Sequence, residues 1–210
     1  MSIIKGLHAR IIANQVKEIM DKKGYSFFES GIFNVNIVGI RASDKQANVF
    51  NDSILLIYKN KKKEWEVMSS LATTDPGKKY LLEPLNEKGT AILVPNQYSG
   101  VYKIDIHARN NSKFSHEALC QRSGKVKVWR DNNKDNQIDY ELGKEDEGWF
   151  GVNIHRAKSS GETEYVGAYS AGCQVFKNST DYKLFMDIVK RSAELYGNSF
   201  TYTLLEEKDF

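Results

Sequence analysis

The sequence contains few cysteines and no strong excess of charge of either sign. Its 210 residues include two cysteines, Cys120 and Cys173, and carry a formal net charge of +3. Two cysteines do not make a disulfide framework, so each thiol is reactive, buried or part of one bridge. Because Cys120 ends the apolar run 118–120, we expect it to be buried and unbridged. The nearly balanced charge, without a basic stripe interleaved with aromatic residues, gives no argument for nucleic-acid binding.

Long apolar runs are also missing. No stretch approaches the roughly 20 apolar residues that a membrane span needs, and the N-terminal residues lack the apolar core and cleavage site of a signal peptide. We therefore expect a chain without a membrane span, synthesised in the cytoplasm, that reaches any substrate beyond the membrane by another route. With no repeat, linker or low-complexity tract, residues 1–210 are predicted to form a single domain, and no cofactor is expected.

Two segments have helical periodicity, and most of the remaining apolar runs are short. Segments 7–23 and 178–196 each place apolar residues on one face and stop at a glycine. Turn signals, among them 75–77 and 96–100, separate the shorter runs. Strands are predicted at 34–40, 53–58, 65–69, 91–94, 101–106, 125–129, 149–155 and 200–205. The predicted fold class is mostly β (α+β), with a helical N-terminal segment within 1–30 and one helix near the end.

The stretch 151–176 holds the residues best suited to chemistry. In a strand, Asn153 and His155 would alternate with apolar residues and face one side. Gly172 directly precedes Cys173, where a tight turn lets backbone amides point at a developing oxyanion. A thiol becomes a good nucleophile as the thiolate, which a neighbouring imidazole promotes. We predict that Cys173 is a nucleophile and His155 its base.

These residues resemble the motif of the L,D-transpeptidase (YkuD) family, in which a His precedes Ser/Thr-His-Gly-Cys. Here fourteen residues separate His155 from Ser170-Ala171-Gly172-Cys173. The resemblance implies a β-sandwich in which Cys173 attacks a peptide carbonyl and His155 takes the thiol proton. It also implies that the backbone carbonyl of Arg156 orients the imidazole, and that amides around Gly172 and Cys173 form the oxyanion hole.

The function implied by this resemblance is peptidoglycan stem-peptide chemistry through a thioacyl enzyme. Water as acceptor would give carboxypeptidase or endopeptidase activity, and an amine would give a cross-link. His107 ends a predicted strand, as His155 does, so it is expected in the same cleft. The expected substrate-binding residues are Ser170, Gln174, Asn153 and His107. The absence of a signal peptide favours a phage lytic protein or an injected effector over a resident wall-building enzyme.

Two alternatives remain open at this point. Ala171 stands where the family has its second His, and Gln174 where an apolar residue is usual. Both differences favour a non-catalytic binding or structural module, such as a phage virion component, on the same fold. His107 and His116 allow a zinc peptidase as a lesser alternative, but no His-Glu-x-x-His helix or Cys pair accompanies them. No metal ligand is therefore predicted.

A weaker signal lies at 131–139, where oxygen-bearing side chains alternate as in a calcium loop. The sharp-turn position is Asn136 rather than Gly, and Leu142 stands where the loop needs Glu. A hairpin tip rich in Asn and Asp explains the same residues through side-chain-to-backbone turns. We favour the hairpin.

Overall fold

The computed structural model describes residues 3–112, 114–140 and 145–210. The helices in these ranges are α1 (Gly6–Lys22), α2 (Lys78–Leu82) and α3 (Ser179–Tyr196), and a 3₁₀ turn spans Glu207–Asp209. The strands are β1 (Ile3–Lys5), β2 (Asn36–Arg41), β3 (Asp52–Lys59), β4 (Trp65–Thr73), β5 (Thr90–Leu93), β6 (Gln97–His107), β7 (His116–Gln121), β8 (Val126–Asp131), β9 (Asp146–Gly148), β10 (Ile154–Arg156), β11 (Gln174–Phe176) and β12 (Phe200–Glu206).

Nine of the strands in the described ranges form one sheet that closes on itself. Their order is β1-β4-β11-β10-β7-β6-β12-β2-β3, and β3 also pairs with β4 from Asp52↔Ala72 to Lys59↔Trp65. The pairings β10–β11 and β12–β2 are parallel, and the others are antiparallel. The result is a barrel-like ring of eight strands, with β1 added at β4. A separate sheet has the order β5-β8-β9.

The interior of the ring is the main hydrophobic core, and every strand of the ring contributes to it. Helix α3 adds its apolar face, so that the Phe176 and Phe185 rings lie with centroids 4.8 Å apart. Helix α1 covers the outer face instead, through Ala9, Ala13 and Val16. Each Val, Leu or Ile side chain that these contacts fully bury contributes about 1.5–3 kcal/mol to the free energy of unfolding. The ring is therefore packed on both sides where α1 lies.

Both predicted helices are present, and α3 has clear end signals. The side chain of Asn178 accepts hydrogen bonds from the backbone amides of Thr180, at 2.8 Å, and Asp181. These bonds satisfy amides that the first turn leaves without partners. Gly197, at φ +88°, follows the last helical residue. A mostly β fold with helices at its start and near its end is thus confirmed, whereas the family sandwich stays a prediction.

Several element boundaries differ from the sequence prediction. Residues 97–100, predicted as a turn, begin β6, where Gly100 has φ +65° and the pairing with β12 shifts register between Phe200 and Tyr202. Residues 149–153 were wrongly predicted as strand, since pairing starts at Ile154. Strands β1, β9 and β11 are three residues long and too short to show periodicity. Strand β7 was missed because it is covered on both faces and does not alternate.

Three further predictions concern single features. Cys120 is fully buried and both cysteines are free, as predicted. No helix in the described ranges has the length and apolar character needed to cross a membrane. In the segment after β8, Asp135 and Asn133 side chains accept from nearby backbone amides, as in an Asx-rich turn. Leu142, which would be the twelfth position of a calcium loop beginning at Asp131, lies outside the described residues.

Candidate active site

Strands β10 and β11 place the two halves of the motif side by side. They run parallel, with His155 opposite Val175. Alternate residues of a strand share a face, so Cys173, two residues before Val175, projects to the same side as His155. Both residues line one cleft of about 670 Å³ on the outer face of the ring. The structure therefore brings together the predicted nucleophile and the predicted base.

His155 is held in one tautomer by the backbone of the next residue. Its Nδ1 lies 2.8 Å from the carbonyl oxygen of Arg156. A carbonyl can only accept, so Nδ1 carries the proton and Nε2 has a free lone pair. Nε2 is buried and has no hydrogen-bond partner among the described residues. Burial, and then the neighbouring His107, hold the pKa of His155 well below its usual range, so the ring is neutral.

The thiol of Cys173 is half-buried and rests against the backbone. Its Sγ donates to the carbonyl oxygen of Gly151 at 3.5 Å and accepts from the amide of Asn153 at 3.5 Å. Within the described ranges no hydrogen bond joins this thiol to His155. Burial raises the pKa of Cys173 to about 11. The unliganded pair is therefore a neutral thiol beside a neutral imidazole, and catalytic contacts are often loose before substrate binds.

The turn before Cys173 requires glycine and is fixed by Ser170. Gly172 has φ +116°, and a Cβ there would lie 2.3 Å from the carbonyl oxygen of Ala91. The Ser170 hydroxyl accepts from the Gly172 amide at 3.2 Å and donates to the Cys173 carbonyl at 2.8 Å. Ser170 is fully buried and positions the turn, so the substrate contact predicted for it gains no support from this placement. The Gly172 amide, predicted to serve the oxyanion hole, is occupied by this hydroxyl.

Gln174 also departs from its predicted role. It pairs with Ile154 and faces the interior of the ring, where it is fully buried. Its Oε1 accepts from the Tyr202 hydroxyl at 2.8 Å, and its Nε2 donates to the carbonyl oxygens of Gly172 and Thr74. Gln174 thus ties the nucleophile turn to the core and does not line the cleft. The substrate contact predicted for Gln174 gains no support from this placement.

Asn153 is likewise a buried positioning residue. Its Oδ1 accepts from the backbone amide of Gln121 at 2.9 Å, and its Nδ2 lies 3.0 Å from Nδ1 of His107. Both ends of this buried side chain therefore have protein partners. Asn153 joins β7, His107 and, through its own backbone amide, the thiol of Cys173.

Three histidines gather at the cleft, whereas the sequence predicted His155 from the motif and His107 from its place at the end of a strand. The rings of His107 and His155 stack with centroids 4.0 Å apart, and His116 lies edge-on to His155 at 5.7 Å. The pairing of His107 with His116 across β6 and β7 produces the cluster, which the sequence could not show without that register. Burial, and then His116, lower the pKa of His107 to about 4. Burial also lowers the pKa of His116.

This cluster is not arranged as a metal site. Each of the three rings already has its Nδ1 within hydrogen-bond distance of a protein atom. Among the described residues, no group of three or more His, Cys, Asp or Glu side chains is placed to hold an ion. The zinc-peptidase alternative gains no support from these residues.

The walls of the cleft carry positive charge. Lys79, Arg156 and Lys158 line it, and no Asp or Glu does so among the residues described. None of the three cations forms an ion pair in the described part of the chain. Tyr80 and Tyr169 add aromatic surface. Lys79 and Tyr80 belong to α2, a short helix that sequence periodicity did not indicate.

Comparison with known proteins found no match: no family model fits the chain, and no curated protein or solved structure matches it.

Proposed function

We propose that the chain is a cysteine-dependent acyl-transfer enzyme of the L,D-transpeptidase type, acting on peptidoglycan stem peptides. One observation carries the proposal. The pairing of β10 with β11 brings Cys173 and His155 to the lining of one cleft. One nitrogen of the imidazole is held by the Arg156 carbonyl, and the other, the buried Nε2, has no partner among the described residues. A nucleophile, a base and a group that orients the base are the three parts of such a catalyst.

The reaction follows from the two neutral groups. The sulfur of Cys173 attacks a peptide carbonyl carbon while its proton passes to Nε2 of His155. The carbonyl π electrons move to oxygen and form an oxyanion. When the intermediate collapses, the C–N bond breaks and the amine leaves with the proton from His155. Water, deprotonated by the same nitrogen, then hydrolyses the thioester, or an amine takes the acyl group and forms a cross-link.

The charge of the cleft favours a substrate that carries a free carboxylate. Lys79, Arg156 and Lys158 would attract an anion, and no acidic side chain described there opposes it. The terminal D-amino acid of a stem peptide has such a carboxylate. Among the possible outcomes, we therefore favour release of that terminal residue over cleavage inside a cross-bridge.

A second candidate function is a non-catalytic binding module. The features that favour it are the raised pKa of Cys173, the missing Cys173–His155 hydrogen bond and the occupied Gly172 amide. Such a module would use the cationic cleft to hold a peptide without turnover.

The deciding experiment compares variants on purified peptidoglycan of several chemotypes, with released products identified by mass spectrometry. Cys173→Ala and His155→Ala should each reduce D-amino acid release by at least 10³-fold, because nucleophile and base act as one unit. Cys120→Ala is the matched control, since it removes a buried thiol outside the cleft and should leave turnover unchanged. If wild-type protein leaves every chemotype intact but still binds it, the binding module replaces the enzyme.

A further inference from the structure

Asn153 determines which nitrogen of His107 carries a proton. The backbone amide of Gln121 can only donate, so the Asn153 atom 2.9 Å from it must be the side-chain oxygen. The side-chain nitrogen is then the atom 3.0 Å from Nδ1 of His107. An amide nitrogen can only donate, so Nδ1 of His107 accepts. The proton of neutral His107 is therefore on Nε2.

The two stacked imidazoles consequently have opposite tautomers. His155 donates through Nδ1 to the Arg156 carbonyl and keeps a lone pair on Nε2, whereas His107 accepts through Nδ1 and keeps a proton on Nε2. Both residues line the cleft with Cys173. Nε2 of His107 makes no hydrogen bond within the described ranges. One ring thus keeps an unpartnered acceptor on a buried nitrogen, and the other keeps an unpartnered donor.

The site needs such a donor because part of its oxyanion hole is already used. The Gly172 amide donates to the Ser170 hydroxyl, and that hydroxyl gives its own proton to the Cys173 carbonyl. Neither group is free to stabilise negative charge on a substrate oxygen. Asn153 contacts both the Cys173 sulfur, through its backbone amide, and His107, through its side chain. A single residue therefore fixes the donor ring relative to the nucleophile.

We infer that the Nε2–H of His107 donates a hydrogen bond to the oxyanion formed when Cys173 attacks a carbonyl carbon. No proton is transferred in this contact: the thiol proton goes to His155, and the electron pair of the carbonyl π bond resides on the oxygen that His107 faces. The inference rests on the proposed acyl-transfer function, but not on peptidoglycan as its substrate. It makes His107 a catalytic residue, beyond the substrate-binding role expected from the sequence.

The test uses two reactions of the Cys173 thiol, one of which passes through an oxyanion while the other does not. Acylation by p-nitrophenyl acetate passes through a tetrahedral oxyanion and releases p-nitrophenolate, while alkylation by iodoacetamide forms no oxyanion. Full-length protein in a Cys120→Ala background keeps the readout specific to Cys173. His107→Phe retains a ring that can stack on His155 but has no N–H donor, and His107→Gln retains a donor.

His107→Phe should lower the acylation rate constant by about 10²-fold or more, the usual effect of losing one oxyanion donor. Alkylation should stay within about twofold, and His107→Gln should recover a substantial part of the acylation rate. Equal losses in both reactions would show a structural role, and an unchanged acylation rate would show no role; either result overturns the inference.

The same assay separates this inference from the proposed function. Acylation that depends on His107, in a protein that leaves peptidoglycan intact, would support the donor role and reject the peptidoglycan substrate. If p-nitrophenyl acetate acylates wild-type protein no faster than Cys173→Ala, both proposals fail.

Discussion

At the scale of single residues, burial favours the uncharged forms of the Cys173 thiol and of the stacked imidazoles. Burial raises the pKa of Cys173 to about 11 and lowers that of His107 to about 4. The buried His155 is shifted in the same direction as His107. A preformed thiolate–imidazolium pair is therefore disfavoured, and proton transfer must accompany attack on the carbonyl.

The first consequence concerns thiol reactivity. Because the pKa of Cys173 is raised from 9.0 to about 11, its thiolate fraction at pH 7.5 is roughly 10²-fold below that of an ordinary cysteine. Alkylation by iodoacetamide in a Cys120→Ala background should be slower by a similar factor and rise about tenfold per pH unit up to pH 10. A plateau reached below pH 8 would show that the thiol is already ionised.

The second consequence is a broad pH profile for the proposed acyl transfer. His155 must be neutral to accept the thiol proton, and its lowered pKa keeps it neutral as the pH falls through 6.5. The acid limb of kcat/KM should accordingly have an apparent pKa below 6.5, and no basic limb should appear before about pH 10. Rates measured from pH 4.5 to 10 check this, and an acid limb at 7 would contradict it.

Sequence reasoning placed Cys173 and His155 in one site from the spacing of the motif, and the structure brings them to one cleft, while their roles stay predictions. The Arg156 contact could be anticipated because it involves the adjacent peptide unit. The burial of Ser170 and Gln174 was not anticipated, because the direction of their side chains depends on the turn at Gly172 and on a three-residue strand. His116 was not assigned to the site because its position depends on how β6 pairs with β7.

At the scale of elements, the turn between Ser170 and Cys173 is the most constrained segment of the site. Gly172→Ala should bring a Cβ against the Ala91 carbonyl at a backbone angle that favours glycine. We expect a loss of about 1–3 kcal/mol in the free energy of unfolding and at least a tenfold slower acylation of Cys173. Gly161→Asn is a suitable control, because Gly161 has φ +68° in open space. Chemical denaturation and the ester assay measure both effects, and equal behaviour of the two variants would refute the steric argument.

The link between β11 and the core gives a separate prediction. Gln174→Ala removes the acceptor of the buried Tyr202 hydroxyl and two donations to backbone carbonyls. An unsatisfied buried hydroxyl lowers stability by about 1–3 kcal/mol, so unfolding should begin at a lower urea concentration. Adding Tyr202→Phe should recover part of the loss, because the orphaned hydroxyl is then gone. Additive losses in this double-mutant cycle would show that the two side chains do not couple.

At the scale of the whole molecule, a buried arginine joins the closed sheet to the three-stranded sheet. Arg41 on β2 forms an ion pair with Asp75 at 3.1 Å and donates to the carbonyl oxygens of Thr74 and Leu93. Thr74 also accepts from Gln174, so the same network reaches the nucleophile turn. The arginine thus connects the cores of two sheets with the site.

Arg41→Met should leave the carboxylate of Asp75 buried without its cation. Removing one partner of a buried ion pair costs about 3–5 kcal/mol, which equilibrium unfolding in urea would measure. Lys183→Met, which breaks the exposed pair with Asp187, should change stability little by comparison. Comparable losses in the two variants would mean that burial does not set the strength of the Arg41 pair.

The two long helices could be predicted from the sequence because their patterns are local, whereas the order of strands could not because it depends on pairing between distant segments. The periodicities of α1 and α3 repeat within a few residues, and both helices were predicted. Closure of the ring depends on pairings such as β3–β4 and β12–β2. No short sequence pattern indicates which strand pairs with which. The number of predicted strands therefore indicated a mostly β fold class, but the order of the strands in the sheet became known only from the structure.

The central position of β12 has a consequence for the order of folding. This strand lies between β2 and β6, and its residues Phe200–Glu206 follow the other strands of the ring in the sequence. Until β12 is in place, β2 and β6 each present an unpaired edge, of the kind that promotes aggregation. The β2–β3–β4 meander joins neighbouring segments, whereas the pairing of Tyr202 with Ile37 joins segments far apart in sequence. Because non-local pairings form slowly, closure of the ring by β12 is expected to be a late step in folding.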